Sequence, residues 1–343
     1  MRPLSESTRL LYSQLLSQCL QGAAPSGRGL SFVAKRINGG KHWYLQLTVG
    51  SRKTQHYVGP DTDAIRQLIQ QEKALWENAT EDRASREQLV AMLASGGAQS
   101  VSSIDARIFE LLERVGVFLA GGVIVGSDAF SLYGNMLGVR WDSETLRTPD
   151  IDVAAERHVV IGIADRPIDL RQALADSKLG FIEVPALSRK SPSTKFRIRG
   201  AQLSVDILTP MAGRTSTRAV HIPSLQVFAE PVRFLDYLLA DAQPAVVVAK
   251  GGVLVNVPAP ARFALHTLVI SERRVAAFHG NAQEDLAQAD QLLRCLAQDR
   301  PGDLRLAWKA AQAQPQKFAT QLRAAIRRLP ADSARIMRGL TAG

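Results

Sequence analysis

The chain has 343 residues, 46% hydrophobic and 22% charged, which excludes a disordered polar chain and suggests about two or three domains. Lysine and arginine number 42 against 32 acids, a formal charge of +10, which favours polyanionic partners without saying anything about fold. Two cysteines, Cys19 and Cys295, are too few for a disulfide framework or a cysteine-rich zinc site, and no apolar run nears the roughly 18 residues that span a membrane.

The opening MRPLSESTRLLYSQLLSQCL is polar throughout and lacks a long apolar h-region, so it predicts a helix over 5–21 and a cytoplasmic protein. GAAPSGRG is a loop by its Gly, Pro and Ser content. SFVAKRINGGKHWYLQLTVGSRKTQHYVGP reads as short strands, with a hairpin turn at Asn38-Gly39-Gly40. Alternation places Trp43, Leu45, Leu47 and Val49 on one face and Tyr44, Gln46 and Thr48 on the other. Residues 21–60 carry Arg28, Lys35, Arg36, Lys41, Arg52 and Lys53 and no acid. Lys35, Arg36, Arg52 and Lys53 are therefore candidate nucleic-acid contacts. Of the aromatics Trp43, Tyr44 and Tyr57 in this sheet, Tyr44 is the better stacking candidate, while Trp43 belongs to the core by its alternation. A helix is expected over roughly 62–94, with a break near 78–80, and Gly96-Gly97 closes a first unit, 1–97.

A second unit, 98–260, begins with a helix over 104–116. GGVIVG reads as a buried strand, followed directly by a helix over 127–137. PDIDVA is a strand, 168–177 a helix and GFIEVPAL a strand. TKFRIRGAQLSVDIL is a hairpin turning near Gly200, and AVVVAKGGVLVNVP a second hairpin with Gly251-Gly252 at its tip. Residues 261–343 read as a third, helical unit.

Three carboxylates stand out. A strand through 150–154 puts Asp150 and Asp152 on one face, with Ile151 and Val153 on the other. In the later hairpin, Asp206 lies on the face opposite Val205 and Ile207, so three carboxylates on two adjacent strands can meet at one sheet edge. Carboxylate oxygens suit Mg²⁺, and two such ions about 3.5–4 Å apart would activate an attacking oxygen and stabilise leaving pyrophosphate. Gly126-Ser127 lies between strand and helix, where unpaired N–H groups and the helix dipole favour phosphate. Ser127 is also a natural N-cap, a compatible role. The alternative pair Gly121-Gly122 enters the strand instead.

Gly126-Ser127, Asp150-Ile151-Asp152 and Val205-Asp206-Ile207 resemble the nucleotidyltransferase fold of the DNA polymerase β superfamily, whose motifs read hG[GS], [DE]h[DE] and h[DE]h. GVRWDSETLRTPDIDV and VPAPARFALHTLVISERR are similar to a bacterial subfamily of that fold, and the resemblance covers roughly 110–300. The 22 residues between the glycine motif and the aspartate pair fit the subfamily's longer spacing, and Thr267 stands where its helical segment carries lysine. The resemblance implies an α/β fold, a mixed sheet flanked by helices, and the residue patterns add a helical C-terminal region and a small basic N-terminal α+β unit. It also implies Mg²⁺-dependent transfer of a nucleoside monophosphate from an NTP to a hydroxyl, with Asp150, Asp152 and Asp206 as metal ligands. Asp206 would assist deprotonation of the acceptor. The nearest functional analogue is the toxin class that modifies tRNA ends, an analogy of fold alone.

Blander readings stand beside these. Asp150 and Asp152 follow Pro149 as turn residues do. Arg140 and Arg147 are candidate nucleotide contacts in what is otherwise a solvated loop. Lys195, Arg197 and Arg199 share a strand face opposite Phe196 and Ile198. That face, with Arg189 and Lys190 before it, is either solvated or in contact with triphosphate or acceptor. His266 reads as a satisfied helix histidine, Arg273-Arg274 as a weaker phosphate candidate, and Asp285 and Asp290 as a polar helix face. His158, His221 and His279 lack metal-ligand spacing. The rival functions are nucleotidylation of a protein or small hydroxyl compound, and a catalytically silent nucleic-acid-binding module.

Overall fold

A computed structural model describes residues 1–21, 30–37, 40–49, 52–142, 150–155, 168–186, 191–211, 213, 218–274 and 279–341. The loop at 22–29, the Asn38-Gly39 turn, Arg147, His158, Arg189 and Lys190 lie outside them, as do the side chains of Arg52, Lys53, Tyr57, Asp150, Arg274 and His279.

The chain opens with strand β1 (Arg2–Pro3) and helix α1 (Glu6–Gln21). An antiparallel sheet follows, β2 (Leu30–Ile37), β3 (Gly40–Val49) and β4 (Arg52–Pro60), paired in that order. The Thr62 hydroxyl accepts from the Ile65 N–H and starts α2 (Asp63–Ser95). This helix runs unbroken through 78–80, where a break was expected. Asn and Thr cost a helix only fractions of a kcal/mol, roughly 0.7 at most per residue.

Ser102 caps α3 (Ser103–Arg114), whose apolar stripe Ile108, Leu111 and Leu112 is buried. Then come β5 (Val123–Val125), α4 (Gly126–Leu137), β6 (Val139–Arg140) and β7 (Asp150–Ala154). They are followed by α5 (Leu170–Asp176), β8 (Phe181–Glu183), β9 (Lys195–Ile198) and β10 (Ser204–Pro210). Next are β11 (Val220–Ile222), β12 (Val227–Val232), α6 (Leu235–Leu239) and the hairpin of β13 (Gln243–Val247) with β14 (Val253–Val257). Five helices close the described chain: α7 (Pro260–Arg274), α8 (His279–Asp299), α9 (Pro301–Gln312), α10 (Gln316–Ile326) and α11 (Ala331–Thr341).

The main sheet is mixed. β5 pairs antiparallel with β7, and β7 parallel with β10. The far edge of β10 is shared, its first half pairing antiparallel with β9 and its second half parallel with β12. Alternation along β7 and β10 sends Ile151, Val153, Val205 and Ile207 into the core, each almost fully buried. The opposite face is left to Asp152 and Asp206, which are only part-buried.

Elements on either side of residue 97 pack together. β1 pairs with β6, matching Arg2 with Arg140. Tyr12, Leu15 and Cys19 of α1 form a buried cluster with Leu89 and Leu93 of α2 and with Val246 and Val248 of the β13–β14 hairpin. Within it the Val246 N–H donates to the Tyr12 hydroxyl at 3.1 Å.

The C-terminal helices join the main core. Tyr133 of α4 donates to the Pro258 carbonyl at 2.9 Å and meets Phe263 of α7 edge-on. Tyr237 of α6 donates to the Ala307 carbonyl of α9, and its ring lies against Phe318 of α10. Asp285 and Asp290, expected on a polar face of α8, are both buried. The Ser333 hydroxyl of α11 donates to Asp290 at 2.6 Å, and Arg294 pairs with the other oxygen at 2.8 Å, so the carboxylate ties α8 to α11.

Candidate active site

The site is built where β5 ends. Gly126 takes φ +67, which an L side chain resists, and α4 begins there. A Cβ on this residue would stand 2.7 Å from Oδ2 of Asp152, so the absent side chain also lets the β5–α4 turn close onto that carboxylate. Ser127 and Asp128 follow, both buried in the first helical turn, at the positive end of the helix dipole.

β7 and β10 bring the acids together. The parallel register sets Asp206 beside Asp152 and Ser204 beside Asp150. Neighbouring strands lie roughly 4.8 Å apart, close enough for Asp152 and Asp206 to share a cation. Asp152 also lies opposite Val125, the residue before Gly126. Two carboxylates side by side under a side-chain-free turn are a donor set that fits a hard, oxygen-seeking ion such as Mg²⁺. Among the described residues no group of three His, Cys, Asp or Glu side chains gathers. Asp150 has its backbone at the right register, and its side chain is outside the description.

Asp206 is engaged on both oxygens. Ser204 donates to Oδ1 at 3.1 Å, and the Lys195 ammonium lies 3.1 Å from Oδ2. Lys195 reaches it from β9, where it is the cross-strand partner of Asp206. Arg197 is opposite Ser204 on the same face, and Arg199 lies in the following turn; both are exposed. The three cations thus run outward from the carboxylates toward Gly200. Alternation and a turn at Gly200 place Lys195 on the face of Asp206, but the ion pair itself was not expected from the sequence. Neither Ser204 nor Asp128 was singled out there.

The GVRWDS segment serves the scaffold. Gly138 ends α4 in the left-handed conformation, and Trp141 folds back to stack on Phe130 at 4.7 Å and donate to its carbonyl. The Asp142 N–H then donates to Gln291 of α8, which binds this return strand to the C-terminal helices. Arg140 is exposed beside the C-terminal half of α4, against which Val139 packs.

The second candidate surface, on β2–β4, is sorted by register. Lys35 pairs with His42 and Lys53 with Thr48, which puts both positions on the face of Tyr44. Arg36 pairs with Lys41 and Arg52 with Val49, on the face of Trp43. The Lys35 ammonium lies 5.0 Å from the centre of the Tyr44 ring. Trp43 is anchored: its indole N–H donates to Asp61 at 2.7 Å, and Lys41 lies 4.7 Å over its ring. That indole bond, together with Lys41 and Arg66, holds the Asp61 carboxyl below its usual range. His266 and Thr267 are buried in α7.

A sequence profile described as Nucleotidyltransferase matches residues 103–313, which hold β5, α4, β7, β10 and most of the C-terminal helices. No match to a curated protein and none to a solved structure accompanies it. No described helix is long and apolar enough to cross a membrane.

Proposed function

The chain belongs to this nucleotidyltransferase family, and from that premise we propose that it transfers a nucleoside monophosphate from an NTP to a hydroxyl acceptor on structured RNA, such as tRNA. The observation that carries the reading is the register of Asp152 beside Asp206, with Gly126 closed onto the first of them. The phosphates lie over the first turn of α4. There backbone N–H groups and the Ser127 hydroxyl receive them, and Gly126 leaves the approach open.

Asp150, Asp152 and Asp206 would hold Mg²⁺, which would supply Lewis-acid polarisation of the phosphate and charge neutralisation on the leaving pyrophosphate. Asp206 takes the proton of the acceptor hydroxyl. The acceptor oxygen forms its bond to the α-phosphorus, and the bond to pyrophosphate breaks. Arg197 and Arg199, further out on the same side, steady the phosphates of NTP or acceptor. Lys35 and Tyr44 support RNA as the acceptor, since a cation against an aromatic ring on an open sheet suits both backbone and base.

The test is to incubate the protein with each NTP labelled at the α-phosphate, Mg²⁺, and either total cell RNA or RNA-free lysate. Label on RNA is the expected result. Label on protein or on a small hydroxyl compound would replace RNA as acceptor and keep the transfer. Absence of label with every NTP and both acceptor pools would contradict the transfer itself.

A further inference from the structure

We propose that Lys195 is an exchangeable counter-ion: it holds Asp206 while the site is without a divalent cation, then gives the carboxylate up and turns to the triphosphate. The inference rests on the reading of the site given above. It starts from the two oxygens of Asp206, one taken by the Ser204 hydroxyl and the other by the Lys195 ammonium, each at 3.1 Å. A serine hydroxyl can stay, because a carboxylate oxygen has lone pairs for more than one partner. An ammonium cannot share that oxygen with a divalent ion at the same distance without strong like-charge repulsion.

The backbone of Lys195 is fixed, so only its arm is free to exchange. Its N–H donates to the Ser193 hydroxyl, and its carbonyl accepts from both Ser193 and the Val184 N–H. The side chain keeps 35% of its surface exposed, against 25% for Asp206, which leaves it a route to solvent. Lysine suits this role better than arginine would, being a compact charge on a flexible stem and not a planar fork. Ser127 and the N-terminus of α4 mark where the phosphates arrive, on the far side of Asp152. The entering NTP thus brings the negative charge that the displaced ammonium needs.

Two measurements test this, on wild type, Lys195→Met, Lys195→Arg and Asp152→Ala. Mn²⁺ binding without nucleotide, followed by the loss of the free-ion EPR signal, should be about two- to fivefold tighter in Lys195→Met, the range of a partly exposed ion pair. The same variant should turn over more slowly with a raised KM for NTP, and Lys195→Arg should recover part of that loss. A lysine that merely braced Asp206 would behave differently, since its removal would loosen Mn²⁺ binding along with turnover. Unchanged or weaker Mn²⁺ binding in Lys195→Met, with binding abolished in Asp152→Ala, would overturn the exchange and leave the metal site standing. Mn²⁺ binding that is as strong in Asp152→Ala as in wild type would overturn the site and the exchange together.

Discussion

A methyl group on residue 126 would stand 2.7 Å from a carboxylate oxygen of Asp152, so the absent side chain serves both the turn and the close approach of the acid. Residues of this kind can be picked out of a sequence because glycine and aspartate are spaced around an apolar strand. Glu113 could not be. It is an ordinary helix residue by pattern, yet the fold places its carboxylate under the Leu254 N–H, which donates to it at 2.7 Å. Burial, reinforced by Glu110 and opposed by Leu254 and Arg86, raises its pKa from 4.5 to about 7. The native state therefore keeps a proton that the unfolded chain has lost, and Glu113 makes stability fall as pH rises from 4.5 to about 7, then level off. Glu113→Gln stays uncharged and can still accept from Leu254. It should match wild type near the lower limit of that window and exceed it above the upper limit by at most about 3 kcal/mol. Denaturant midpoints measured across the window check this, and an equal offset at every pH would rule it out.

At the scale of elements, the sheet β2–β4 shows what alternation reveals. Register assigns positions 35 and 53 to the face of Tyr44 and positions 36 and 52 to the face of Trp43. If the Tyr44 face grips RNA, Lys35→Ala with Lys53→Ala should flatten the dependence of log affinity on log salt by about 0.7 per lost contact on a single strand. Arg36→Ala with Arg52→Ala should leave that slope nearly intact. Tyr44→Ala should cost roughly 1–3 kcal/mol of affinity at an unchanged slope. Salt titrations of RNA binding decide, and equal slopes in both double variants would contradict the choice of face. Strand period and turn residues made β7, the β9–β10 hairpin and the β13–β14 hairpin legible in advance. They did not expose β11, β12 or α6, short elements between better-marked neighbours, nor the pairing of β1 with β6, since two-residue strands have no period. The tie of Asp290 to Ser333 was not legible, because that partner is 43 residues away and no helix pattern reports a partner on another helix.

On the scale of the whole molecule, the order of elements delivers the acids to one place. β5 runs into α4 at Gly126, and β7 antiparallel to β5 brings Asp152 to that turn. β10, parallel to β7, sets Asp206 beside it. Hydrogen bonds of Tyr133, Gln291 and Tyr237 tie the C-terminal region to this frame. A formal charge of +10 would draw both NTP and RNA toward it. The most direct test of the central claim is single-turnover transfer of α-phosphate label by wild type, Asp152→Ala and Asp206→Asn, each first shown to be folded by circular dichroism. The account predicts that Asp152→Ala transfers no detectable label, and that Asp206→Asn binds NTP nearly as wild type does but transfers far more slowly. Wild-type transfer by Asp152→Ala in Mg²⁺ would contradict it.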